Sequence, residues 1–143
     1  MLNYVTQQDL EEIDEASTFE ALRRTAFRIL RRMPQPVGMV CGPITTGGVT
    51  VEENLAALAK GIDERIRGGK NIFIQLFFEA AMHRIKNTPY YRDGNHLLET
   101  FYQPLFKAGL IKTLYFLPNW QSSDGASWEH EQALRLNMEI AYL

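Results

Sequence analysis

The chain has 143 residues, with 15 Lys and Arg against 17 Asp and Glu for a net charge of −2, and is 45 % hydrophobic and 22 % charged. This is the length of one globular domain with enough apolar content to bury a core, which excludes the disordered, collagen-like and disulfide-scaffold classes. The near balance of charge gives no electrostatic reason to expect a nucleic-acid polymer as partner.

The single cysteine, Cys41, excludes an intramolecular disulfide and any zinc site built on paired thiolates, and it fits a reducing, cytoplasmic setting. No basic segment followed by an apolar run marks a secretory signal. Apolar runs such as Phe77-Phe78 and Phe116-Leu117-Pro118 fall far short of the ~20 residues that span a membrane, so no membrane partner is expected.

Residues 1–36 read as an N-terminal helical extension. The acidic stretch from Asp9 to Ala16 holds two or three turns. Ser17-Thr18-Phe19-Glu20 reads as a capping box, with a Ser hydroxyl and a Glu three residues on. The helix it opens carries Phe19, Leu22, Ala26 or Phe27, and Leu30 at helical spacing. Its arginines (Arg23, Arg24, Arg28, Arg31, Arg32) read either as a solvated face paired with the preceding acids or as an anion or partner surface. Pro34 and Pro36 stop the helix.

Val37 to Cys41 is a short apolar run ended by Gly42-Pro43, and it reads as a buried parallel strand. A polar loop follows, then a helix over 51–67 with a stripe of Leu55, Leu58, Ala59, Ile62 and Ile66, stopped at Gly68-Gly69. A second strand is predicted over 71–76. Helices are predicted over 77–86 and 95–108, broken at Asn87-Thr88-Pro89, with Pro104 kinking the second. A strand over 110–117, a helix over 125–136 and a strand over 138–142 complete the chain.

The alternation after residue 36 predicts an α/β domain over 37–143: a flavodoxin-like or Rossmann-like parallel sheet of four strands, order 2-1-3-4, flanked by helices. Ligands of such sheets bind beyond the carboxyl ends of the strands where the winding reverses. Here that point is walled by the Gly42–Gly48 loop and the Pro118–Glu129 segment.

Several motifs are absent. The Gly42–Thr50 loop lacks Gly-Lys-Ser/Thr and Gly-x-Gly-x-x-Gly, so neither a P-loop nor a dinucleotide fingerprint is present. It can still aim backbone N–H groups at an anion, or be a plain surface turn. His83, His96 and His130 lie too far apart for metal spacing, and no metal or other cofactor is called for. Ser122, Ser123, Asp124 and His130 have hydrolase-triad residue types but no nucleophile elbow; His130 is expected to pack beside Ala126, Ala133 and Leu134.

The segment Leu117-Pro118-Asn119-Trp120-Gln121-Ser122-Ser123-Asp124-Gly125-Ala126-Ser127-Trp128-Glu129 leaves a strand, turns and enters a helix. Ser123 or Asp124 can cap that helix. On a helical wheel Glu129 shares an arc with Ala126, Ala133 and Leu136, while Ser127, Trp128, Gln132 and Arg135 point elsewhere. A carboxylate leaning toward the apolar side at the ligand end of a sheet is either a salt-bridging or capping residue or a reactive one.

Gly42-Pro43-Ile44-Thr45 after the first strand, Asn54 in the next helix, and Leu-Pro-Asn-Trp-Gln-x-Ser-x-Gly-Ala-x-x-Glu over 117–129 resemble a small bacterial and phage family related to the nucleoside 2-deoxyribosyltransferases. That family's pattern is roughly Gly-Pro-Met-Thr and Leu-Pro-Gly-Trp-x-x-Ser-x-Gly-Ala-x-x-Glu. The resemblance covers 37–143, chiefly at the two motifs.

It implies a nucleoside or nucleotide N-glycosidase or transferase. Glu129 would be the catalytic nucleophile at C1′ of the sugar, displacing the base and forming a glycosyl ester. Gly42, Pro43, Ile44, Thr45 and Trp120 would line the base and sugar; Ser122, Ser123, Asp124 and Gly125 would bind sugar oxygens or a 5′-phosphate. It also implies a homo-oligomer, a dimer or higher. Trp120, Trp128, Tyr90-Tyr91 and the N-terminal helices are candidates for that interface.

Two aspartates of the transferases are missing: Ser123 stands at one place, with Asp124 a residue late, and Gln103 or Pro104 at the other. Glu79, Asp93 or Glu99 could substitute as the groups that hold the sugar hydroxyl and protonate the leaving base. These departures keep a second expectation open, a non-catalytic nucleotide-binding or assembly protein of the same fold.

Overall fold

The computed structural model describes residues 4–143. In chain order the elements are α1 (Gln7–Glu15), α2 (Phe19–Arg32), β1 (Val37–Cys41), α3 (Val51–Arg67), β2 (Asn71–Ile72) and α4 (Leu76–Lys86). A π-helical turn (Leu98–Tyr102) then runs into α5 (Gln103–Lys107), followed by β3 (Thr113–Phe116), a 3-10 turn (Trp120–Ser122), α6 (Asp124–Arg135) and β4 (Glu139–Tyr142). The protein is α/β. Its contacts resolve into two units that interleave in sequence: a helical unit of residues up to Pro34 with Gln75–Leu110, and a sheet unit of Gln35–Ile74 with Ile111–Leu143. The expected boundary at residue 36 lies beside the first passage between them, and the helical unit also takes in the helices of 75–110.

In the helical unit, α1 opens with a capping box. Thr6 Oγ1 accepts the Asp9 N–H at 3.1 Å, and the Asp9 carboxylate accepts the Thr6 N–H at 2.8 Å. Helix α2 is capped by Thr18, which accepts the Ala21 N–H at 3.1 Å, rather than by Ser17. The Glu20 that would have closed a box with Ser17 instead accepts the Tyr90 hydroxyl. Of the two readings of the arginine row, local pairing holds for Arg28 and Arg32. Both bind the carboxylate of Asp9, and Arg28 also binds Glu12. Tyr90 and Tyr91 pack against Phe19 and the buried His96 within this unit.

Pro104 shapes the end of the helical unit. It has no N–H for the Thr100 carbonyl, and its ring crowds that oxygen. The chain widens into the π turn just before it, and Thr100 O accepts Arg23 Nη1 at 3.1 Å instead. The helix expected over 95–108 therefore runs through Pro104 with a changed hydrogen-bond period.

The sheet is parallel throughout, in the expected order β2-β1-β3-β4. β2 is two residues long, not six. Phe73 N–H still bonds Gly38 O at 2.8 Å, but Gln75 already has helical backbone angles and leads into α4. The register places Val40 beside Tyr115 and Cys41 beside Phe116, so these two pairs face opposite sides. Helix α3 covers the Val40 side, where a methyl on Gly61 would sit 3.3 Å from the Val40 side chain. Helix α6 covers the Cys41 side, where Phe116 meets His130 edge-on at 5.1 Å. Right-handed crossovers running outward from β1 and from β3 in opposite directions require this split.

Candidate functional site

Cys41 closes β1 and Phe116 closes β3, so the chain leaves the carboxyl end of the sheet by two routes. One is the 42–50 loop into α3, the other the 117–123 segment into α6. Gly47 (φ 72°) and Gly48 (φ 64°) give the first route a left-handed turn that residues with a Cβ adopt poorly. A Cβ on Gly47 would lie 2.0 Å from Ser122 O, and one on Gly48 would lie 2.2 Å from Asn54 Oδ1. Both glycines are thus required by close approach as well as by backbone angle.

The two routes are clasped together. Gly48 N–H donates to Ser122 Oγ at 2.9 Å, and the Ser122 hydroxyl donates to Asn119 O at 2.7 Å. Asp124 N–H donates to Thr46 Oγ1 at 3.0 Å. From below, the buried Asn54 side chain donates to Ile44 O at 3.0 Å and Gly47 O at 3.1 Å, and accepts the Val49 N–H at 3.1 Å. Asn54 is therefore the residue that shapes this loop. The sequence offered it only as part of the resemblance, because its partners are backbone groups that no side-chain pattern marks. The N–H groups of Gly48 and Asp124, candidates for holding an anion, donate within the protein.

Ser123 is the cap of α6 and accepts the Ala126 N–H at 3.1 Å. Asp124 is exposed in the first turn, where the positive helix end favours its charge. Gly42 and Pro43 are buried, Ile44, Trp120 and Gly125 are half-buried, and Thr45 is exposed.

Glu129 lies in the second turn of α6 and is 7 % exposed. Ala126 and Ala133 are buried with it, as the wheel predicts; Leu136 is half-buried. Gln132, expected to point elsewhere, is buried too. The buried Cys41 thiol donates to Met39 O at 4.0 Å. Burial above all, then the nearby Glu129 carboxylate, pushes that thiol well above its ordinary value.

His130, expected to pack beside Ala126, Ala133 and Leu134, has aromatic partners. Its ring stacks on Trp120 at 4.2 Å, and its Nε2 is 2.7 Å from the Tyr142 hydroxyl. Leu134 is 61 % exposed. The aromatic pull of Trp120 and Tyr142 exceeds what an alanine surface offers. Sequence reading missed it because Tyr142 joins His130 only through the pairing of β4 with β3.

The acids considered as substitutes all belong to the helical unit. Glu79 is half-buried, and burial raises its pKa against the pull of Lys86 and His83. Asp93 accepts the Asn95 N–H in a local turn at 2.9 Å. Glu99 is exposed in the π turn.

A hollow of about 420 Å³ opens at the other, amino end of the strands, lined by Gly38, Lys70, Thr113, Tyr115 and Glu139 among others. Among the described residues no group of three or more His, Cys, Asp or Glu is placed to hold a metal, and no helix is long and apolar enough to cross a membrane. Compared with protein-family models, curated proteins and solved structures, the chain matches none.

Proposed function

We propose that this protein is a nucleoside or nucleotide N-glycosidase or 2-deoxyribosyltransferase-like enzyme with Glu129 as its nucleophile. The observation that carries the reading is the placement of Glu129. A nearly buried carboxylate lies in the second turn of the helix that the chain enters after leaving the carboxyl end of β3, near Cys41 at the end of β1. The motifs at 42–45 and 117–129 that resemble the transferase superfamily approach each other at Gly42 and Leu117, where a Cβ on Gly42 would lie 2.6 Å from the Leu117 side chain.

In the reaction, a Glu129 oxygen forms a bond to C1′ while the C1′–N bond breaks. Its electron pair leaves with the base, which takes up a proton. Water or a second base then attacks C1′ and releases the carboxylate. Partial burial serves this chemistry, because a desolvated carboxylate is a stronger nucleophile toward a cationic centre.

The test is base release from deoxynucleosides and their 5′-monophosphates by wild type and Glu129→Gln. Wild-type turnover that the substitution lowers by a factor of 10³ or more, the order of magnitude of losing a nucleophile, is expected. The empty places of the two family aspartates favour a second reading, a nucleotide-binding module without turnover. Ligand-dependent thermal stabilisation with no product would identify that module.

A further inference from the structure

We infer that the outer edge of β4 is an interface for a second copy of this chain, which pairs with it antiparallel about a twofold axis and joins the two sheets into one. β4 ends the strand order β2-β1-β3-β4, and among the described residues no strand pairs with its outer side. The bonds to β3 fix which groups are left. Glu139 N–H donates to Lys112 O at 2.9 Å, and Leu143 N–H donates to Phe116 O at 2.8 Å. In a parallel ladder alternate residues bond the same neighbour, so the N–H and C=O groups of Ile140 and Tyr142 point away from the sheet. Such a row is a template for another strand. The opposite edge of the sheet, β2, is only two residues long. β4 has no Lys or Pro to deter pairing, its register with β3 runs without a bulge, and its one charged residue, Glu139, stands at its start. Apolar surface gathers here as well. Tyr142 is 63 % exposed and Leu143 39 %, and Leu134 lies one turn along α6 from the His130 that meets Tyr142.

The sequence of the strand selects a second copy as the occupant, because Glu139-Ile140-Ala141-Tyr142-Leu143 complements its own reverse. With Ala141 on the axis, Ile140 stands opposite Tyr142 of the second copy, and every outward N–H and C=O of these two residues finds a counterpart. Opposed side chains share a face. Ile140 and Tyr142, a β-branched residue against an aromatic one, meet on the face that α6 covers. On the other face Glu139 meets Leu143, so the two Glu139 carboxylates are kept apart. Sliding the register toward Met138 would set Tyr142 against a residue whose N–H already donates to Ala133 O at 2.9 Å. Alanine also suits the axis, where the Cα atoms of a pair without mutual hydrogen bonds approach to about 4.5 Å.

The test places charges on that axis. Ala141 borders the hollow of about 420 Å³, so a longer side chain has room in the single chain. Sedimentation velocity across a concentration series should show wild type as a dimer. Ala141→Lys and Ala141→Glu each bring like charges together and raise the dimer Kd by at least about tenfold, whereas their equimolar mixture recovers association to within about threefold of wild type. Circular dichroism checks that each variant is folded. Ala141→Cys keeps a small side chain and forms a covalent dimer under mild oxidation, since the spacing across the axis suits a disulfide. The buried Cys41 leaves wild type uncrosslinked.

A wild type that is monomeric at every concentration overturns the inference. So does a dimer that both charged variants leave intact, or a mixture no tighter than either variant alone. Should the charged variants fail to fold, Ala141→Cys decides: a covalent dimer supports the pairing and its absence overturns it.

Discussion

Asp9 offers the sharpest test of the helical unit. Its carboxylate has no exposure, yet it accepts from Arg28 at 2.8 and 3.1 Å, from Arg32 at 2.7 and 3.0 Å, and from the Thr6 N–H at 2.8 Å. In Asp9→Asn the cap acceptor remains, but the charge that both guanidiniums share is gone. Breaking a fully buried pair costs about 3–5 kcal/mol. Here the Arg28 and Arg32 side chains are 41 % and 33 % exposed, so water can take over much of their solvation. The expected loss is therefore about 2–3 kcal/mol at pH 7, or about 5–10 °C in Tm for a chain of this size.

The pH dependence of that loss follows from the carboxyl group. Arg32 above all, then the Thr6 N–H and Arg28, against the opposing effect of burial, hold it far below its ordinary 3.8 in the folded protein. A depressed folded pKa contributes stability that is fully present above the unfolded value and is lost as pH falls beneath it. The gap between wild type and Asp9→Asn should thus be widest at neutral pH and shrink by about 1 kcal/mol per pH unit below 3.8. Urea unfolding followed by circular dichroism at several pH values reads it. A gap under about 0.5 kcal/mol at pH 7, or one that does not narrow on acidification, would refute the reasoning.

Gly48→Ala forces a Cβ into the left-handed region and within 2.2 Å of Asn54 Oδ1, so the clasp must open. We expect a loss of about 2–3 kcal/mol in urea unfolding, and a neutral effect would contradict the clasp. Tyr90→Phe removes the hydroxyl that donates to Glu20 and accepts the Phe19 N–H at 3.1 Å. About 1–2 kcal/mol of thermal stability should go with it, and an unchanged Tm would deny that contact a role.

The strands, their order and the long helix α3 were legible because each is a local apolar pattern bounded by Gly or Pro. Val37–Cys41 and 51–67 coincide with the elements found. β2 was overestimated because Ile72-Phe73-Ile74 is equally apolar whether the chain stays extended or turns into a helix. At the site, the burial of Glu129 and the cap at Ser123 were readable from helical spacing and cap chemistry. The contact of His130 with Tyr142 was not, since sheet register brings those two together. The grouping of 75–110 with the N-terminal helices was hidden because it rests on contacts distant in sequence. Its contacts, such as Arg84 to the carbonyls of Ile13 and Ala16, span some seventy residues of sequence.

The central claim is that Glu129 forms a covalent bond to the sugar. Incubating wild type and Glu129→Gln with a panel of deoxynucleosides and their 5′-monophosphates, quenching in acid and mapping peptides by mass spectrometry tests it most directly. The account predicts one deoxyribosyl adduct on the wild-type peptide containing Glu129 and none in Glu129→Gln. Base release that persists undiminished in Glu129→Gln, or an adduct on any other residue, would contradict it.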